Sequence, residues 1–352
     1  MIVLDAHCDS PSQMYRLRDF SIDNPAPAQV DFPKMVRGGM TASFFALYIF
    51  PHLPAGEAMS YAKALLDSLD RQMKANPSMA AYAYSADDVR RNHDNGLLSI
   101  LIGLENGSPV GKDLRNIEYL YKRGVRYITL THSADNQICD SCSGAGKWGG
   151  LSPFGHEVVA EMNRLGLLID VAHCSDNTVS QVLDISSEPI AFTHGCCRAV
   201  SNHRRNLPDE LMKKLADKGG VMGVSIYPYF LSEEFCKVSE ASGLEDLFYL
   251  EDDFKYDPSN DLKRKAWDDF QMQLSQLPRP GVKEVVDHID HAVKVMGIEH
   301  VGLGTDYDGI EVAPVGLEDV SGFSKIFDEM SSRGYTDGQI EKIAGENMLR
   351  II

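Results

Sequence analysis

The stretch GLLIDVAH (residues 166–173) is a nearly continuous apolar run ending in a histidine, and one helical pattern later PIAFTH (189–194) repeats the arrangement. Runs rich in Val, Ile and Leu with little alternation indicate strands covered on both faces, as in a parallel sheet wrapped by helices. Six further runs share this character: IVLDA (2–6), TASFFALYIF (41–50), LLSILIGLE (97–105), RYITLTH (126–132), GGVMGVSIYP (219–228) and HVGLGTD (300–306). Helical patterns lie between them. Residues 57–74 form one, Ser85 reads as the N-cap of ADDVRRNHDN, and PFGHEVVAEMNRL closes on Gly166. Ser175 opens DNTVSQVLD, and PDELMKKLADK has Pro208 near its start and Gly219 beyond its end. Eight strand–helix units are what an α/β chain needs to form a (β/α)8, TIM-like barrel, and that fold carries its active site at the C-terminal ends of the strands.

The polar residues that finish the runs should then be the reactive ones. They are His7 and Asp9, Glu105, His132, His173, His194 and Asp306. A lone histidine at a strand end is more often a satisfied core or surface residue than a ligand, so the functional case rests on the joint pattern. His7, Asp9, Glu105, His173 and His194 offer nitrogen and oxygen donors with no thiolate. Five ligands exceed the usual three or four of one zinc and suggest two metals. With Glu105 as the bridge, each metal receives three protein groups and the pair can share a water whose pKa falls to about 7. In a strand, residues i and i+2 point the same way, so His7 and Asp9 can reach one metal while Cys8 faces away.

Bulk composition narrows the alternatives. The 352 residues are 43% hydrophobic and 24% charged, the profile of a globular protein with a sizeable core. With 34 basic against 51 acidic residues, the net charge of −17 disfavours nucleic acid or an anionic membrane as partner and suits a small substrate or a cation. The opening MIVLD lacks the basic and apolar regions of a signal peptide, and no run is long enough to span a bilayer. Seven cysteines, an odd set with Cys196 beside Cys197, fit a reducing compartment, so a cytoplasmic protein is expected. Symmetric dimers being the commonest oligomers, a homodimer is the expected assembly.

Several features read as structural. Cys139 and Cys142 form a lone CDSC in a Gly/Ser-rich loop and read as two loop thiols; Cys8, Cys174 and Cys196 read as small packing residues. His288 and His291 stand i and i+3 on a helix without a strand-end carboxylate and read as a solvated face. His52, His93, His156, His203 and His300 read as ordinary surface or core residues. Residues 228–282 run without a strand, too long for an ordinary connection, and read as an acidic, partly helical insertion between the seventh and eighth strands of a single barrel domain, 1–352.

In order and spacing, DAHCDSP, GLEN, LTHSADN, GLSPFG, MNRLGLLIDVAH, FTH with CRAV, RRNLPDELM, GLGTDYDG with GLEDVS, and GENMLRII run from residue 5 to 352. The chain resembles the membrane (renal) dipeptidases, zinc-dependent (β/α)8 enzymes that hydrolyse dipeptides. The resemblance implies two zinc ions, one held by His7 and Asp9, the other by His173 and His194, with Glu105 bridging them and a hydroxide between them attacking the peptide carbonyl. It implies that His132 stabilises the oxyanion and Asp306 handles the proton. It makes Arg205 the clamp for the substrate carboxylate, a planar fork suited to that group, with Arg204 the adjacent alternative. Tyr227, at the end of the seventh run, is a further candidate for binding that carboxylate. The family's membrane-bound members are secreted, anchored and disulfide-linked, whereas this chain opens on its first strand, so a soluble bacterial-type relative is expected. L-L dipeptides, and L-D ones as well, are candidate substrates.

Two other readings compete. A binuclear hydrolase of the amidohydrolase type, acting on another amide, a lactone or a phosphoester, would share the barrel and the metals; Arg205, and Glu105 where that group often uses a carboxylated lysine, argue for the dipeptidase. A non-catalytic barrel scaffold would have been favoured by loss of a ligand, and none is lost.

Overall fold

In a computed structural model, which describes residues 1–250 and 260–352, each of the eight runs contains a parallel strand. These are β1 (Leu4–Cys8), β2 (Ala42–Tyr48), β4 (Leu98–Glu105), β5 (Val125–Thr129), β6 (Leu168–Asp170), β7 (Ala191–Gly195), β8 (Val221–Val224) and β9 (Val301–Leu303). The order β2-β1-β9-β8-β7-β6-β5-β4, with β2 also paired to β4, closes the ring. The short strand β3 (Ala80–Tyr82) was not expected; it lies alongside the start of β4 and takes no place in the ring.

Two apolar layers explain why the strands are apolar on both faces. Leu4 and Ala6, Ala42 and Phe44, and Leu101 fill the barrel interior together with Tyr127, Leu168 and Val221. The alternate residues Val3, Phe45 and Leu47, and Ile100, Ile102 and Leu104 pack outward against the helices, and Cys8 joins them past the register shift in β1. Each large side chain so buried contributes about 1.5–3 kcal/mol. The helices begin where their caps place them: the hydroxyls of Ser85, Ser152 and Ser175 accept the amides of Asp88, Gly155 and Thr178, at about 1 kcal/mol per cap. Gly166, at φ +66°, ends the helix Pro153–Leu165 in the left-handed conformation.

In the long segment after β8, the described residues form helices Pro228–Leu231, Glu233–Ser242 and Asp261–Leu274; residues 251–259 of the expected insertion lie outside the described part. From the last helix, Gln271 donates to the carbonyl of Glu311, in the loop that follows β9. No helix among the described residues is long and apolar enough to cross a membrane.

One expectation is overturned. His288 is buried, not solvated, because it belongs to the inner stripe of helix Val282–Met296 with Val285, Ile289 and Ala292. Its Nδ1 accepts the amide of Cys197 at 3.1 Å and its Nε2 donates to Leu231 O at 3.2 Å. Burial pushes its pKa down to about 4, so it stands neutral among these partners. His291, one turn on, pairs with Asp209 at 2.8 Å.

Candidate metal centre

The strand ends bring the expected residues together. His7 lies within β1, Glu105 ends β4 and His194 lies within β7, while Asp9, His132, His173 and Asp306 stand one to three residues past their strands. His173 (φ +64°) and Asp306 (φ +69°) adopt the left-handed conformation, which costs non-glycine residues about 1–3 kcal/mol each and must be held by their surroundings. Asp9 lies outside the regular strand, so the two-residue period that links it to His7 ends there, yet its Oδ1 lies 3.9 Å from His7 Nε2.

Glu105 is the centre. Its Oε1 lies 3.0 Å from Nε2 of His173, 3.4 Å from Nε2 of His194 and 3.7 Å from Nε2 of His132. Its Oε2 lies 3.6 Å from Nε2 of His7, which is in turn 3.8 Å from Asp306 Oδ1. The two Nε2 atoms of His173 and His194 approach to 2.8 Å. Both histidines lie well below their ordinary pKa, through burial first and then, for His194, the charge of His7 and, for both, Arg205. They are neutral, the form in which imidazole ligates a metal. Burial opposes a charge on His7, but Glu105, Asp9 and Asp306 outweigh it and push its pKa up to about 10.

The donor set fits a cation. His7, Asp9 and Glu105 offer three atoms within 4.8 Å of one another, as do Glu105, His173 and His194, and His7, His194 and Asp306. Among the described residues His7 Nε2 and Glu105 Oε2 are buried without a hydrogen-bond partner, although buried polar atoms are ordinarily satisfied. The far sides of the rings are anchored. Thr193 donates its hydroxyl to Asp170 at 2.7 Å, so at 2.9 Å it accepts from His194 Nδ1, leaving the Nε2 lone pair facing the centre. His7 Nδ1 lies 2.8 Å from the Tyr127 hydroxyl. Asp5 accepts the amide and hydroxyl of Thr305 and the amide of His7, tying together the strand ends that carry His7 and Asp306. These supports were not foreseen; a carboxylate inside an otherwise apolar strand, as at Asp5 and Asp170, was the available signal.

Arg205 is buried; its Nη2 donates to His194 O at 3.2 Å, its guanidinium lies 5.0 Å from the Phe230 ring, and Nε and Nη1 have no hydrogen-bond partner among the described residues. Arg204 is exposed. Tyr227 packs on Phe230 and donates its hydroxyl to Glu311 at 2.5 Å. The CDSC thiols diverge: Cys139 is buried 4.0 Å from Cys174 Sγ, while Cys142 is half-buried.

Gly309 is a second unforeseen element. A Cβ there would lie 2.2 Å from Asp9 Oδ2 and 2.8 Å from Asp306 Oδ1, so only glycine lets both carboxylates reach the centre. Gly309→Ala should weaken metal binding by about 10- to 100-fold, as displacement of a ligand or its support does. Chelator competition on the folded variant would show it, and unchanged affinity would mean that the loop yields.

Residues 1–352 match the family described as membrane dipeptidase (peptidase family M19). The chain belongs to that family. It is 29% identical over 350 residues to the dipeptidase aclJ of Aspergillus oryzae, covering 97% of this chain and 73% of that one. Among solved structures, the probable dipeptidase PvdM from Pseudomonas aeruginosa superposes with a TM-score of 0.84 at 29% identity, over 100% of this chain and 94% of that one. A metallopeptidase from Rhodobacter sphaeroides, liganded with a phosphinate mimic of the dipeptide L-Ala-D-Ala, shares the fold at a TM-score of 0.82 and 23% identity, covering 100% and 98%. The membrane dipeptidase family and the buried His/Glu/Asp centre together make this chain a metal-dependent dipeptidase.

Proposed function

We propose that the enzyme cleaves the peptide bond of L-L and L-D dipeptides at a centre of two zinc ions, held by His7 and Asp9 on one side and by His173 and His194 on the other, with Glu105 shared. One observation carries this reading: the two oxygens of Glu105 face different ligand sets, Oε1 towards His173 and His194 and Oε2 towards His7. When bound, such ions supply an activated water and a Lewis acid at the scissile carbonyl.

The remaining steps belong to the protein. Arg205, with two buried donors that meet no acceptor among the described residues, binds the free carboxylate of the substrate and limits cleavage to one residue from that end. His132, its ring 4.0 Å from that of His173, donates to the carbonyl oxygen as charge develops there. Asp306 Oδ1 holds the proton released by the nucleophile and returns it to the leaving amine. Tyr227 completes the wall around the carboxylate. The L-D range draws on the ligand of the Rhodobacter sphaeroides relative. Seven free thiols support a reducing, cytoplasmic setting.

Elemental analysis of purified protein, paired with turnover of L-L and L-D dipeptides and an N-acetylated tripeptide, tests the reading. About two metal ions per chain and turnover of dipeptides alone are expected. Metal without dipeptide turnover would favour another binuclear hydrolase, and a metal-free, inactive protein would sink the proposal.

A further inference from the structure

Behind two of the site histidines lies a loop that the proposed chemistry leaves without a role. Ser141, buried in the stretch that follows β5, has its Oγ 2.5 Å from the carbonyl of His132 and 3.3 Å from that of His173. The next amide, of Cys142, donates to the same His173 carbonyl at 2.8 Å. Ser141 is itself fixed. Its amide donates to Asp135 Oδ1 at 2.8 Å and its hydroxyl oxygen accepts the amide of Ser143 at 3.1 Å. Asp135 also accepts the amides of Gly146 and Lys147, so one buttressed turn presents the hydroxyl.

The two carbonyls belong to residues with different tasks on different strand ends. His173 offers Nε2 to Glu105 from a left-handed backbone, a conformation that persists only when neighbours hold it. The His132 ring lies 4.0 Å from that of His173, tilted by 34°, and its Nε2 faces the same Glu105 oxygen. A hydroxyl shared by both carbonyls fixes the spacing between the strand ends, and with it the distance between the ligand and the oxyanion donor.

We propose that Ser141 is a positioning residue that couples the metal ligand His173 to the substrate-facing His132. The proposal rests on the two-metal dipeptidase reading above. Ser141→Ala should bind metal about 10-fold more weakly in chelator competition and lose about 10- to 100-fold in kcat with KM little changed, the scale of effect seen when a ligand's outer support is removed. Ser141→Thr keeps the donor and should restore both. Ser143→Ala serves as the loop control and should behave as wild type, since among the described residues the Ser143 hydroxyl has one hydrogen-bonding contact, to Cys142 Sγ at 3.8 Å. If Ser141→Ala does not fold, Ser141→Cys, of similar size but with a weak donor, takes its place and should show the same losses. Wild-type metal affinity and kcat in the alanine or cysteine variant would overturn the proposal, as would a lowered melting temperature with both constants unchanged, which marks a structural role alone. A wild-type enzyme that bound no metal or cleaved no dipeptide would instead overturn the reading on which it rests.

Discussion

Glu105→Gln should lower kcat for dipeptide hydrolysis by about three decades, since the charge it removes is worth several kcal/mol at a metal-assisted transition state. The substitution keeps the side chain's volume but withdraws a negative group that lies within 3.0–3.7 Å of all four site histidines. The neutral amide would also present a donor where neutral His173 and His194 offer lone pairs, so elemental analysis should find metal lost along with activity. Circular dichroism of the metal-free variant separates loss of chemistry from loss of fold. A folded variant retaining a tenth of wild-type kcat would show that Glu105 is not the shared ligand.

Arg205→Met should cost about two to four decades in kcat/KM on dipeptides, because two hydrogen bonds to a charged group, each worth about 1.5–3 kcal/mol, disappear together. Methionine can fill the space beside Phe230 without leaving a buried charge unpaired. The informative comparison is a dipeptide whose C-terminal carboxylate is replaced by an amide. Wild type should discriminate strongly against it, whereas Arg205→Met should treat the two substrates nearly alike. Arg205→Lys should not rescue, because an ammonium cannot reproduce the planar fork. If wild type and variant discriminate equally, the carboxylate is read elsewhere, with exposed Arg204 the first candidate.

The barrel was legible because its strands are buried on both faces and so read as unbroken apolar runs. β3 was not: AAY is three residues long and, among the described residues, pairs on one side only. The centre was legible because chemistry collects at strand ends, even though His132, His173 and Asp306 stand beyond the hydrogen-bonded ladder on backbone that no periodicity describes. His288 misled because its partners, Cys197 and Leu231, are distant in sequence, and only the fold converts a histidine on a helix into a satisfied core residue. The same holds for Ser141 and Gly309, whose importance lies in a backbone carbonyl or an empty volume rather than in residue type.

The pairing of β1 with both β2 and β9 bears on the order in which the molecule can be assembled. Asp5 meets Thr305 across 300 positions of chain. During synthesis β2, β4, β5, β6, β7 and β8 can form a growing arc, but β1 remains an open edge until residues 301–303 emerge, and such edges invite wrong partners. A chain interrupted between His194 and Asp306 thus possesses His7, Asp9, Glu105, His173 and His194 yet has no closed ring to hold them. Catalytic competence arrives in a single late event, when the last strand slides in beside the first.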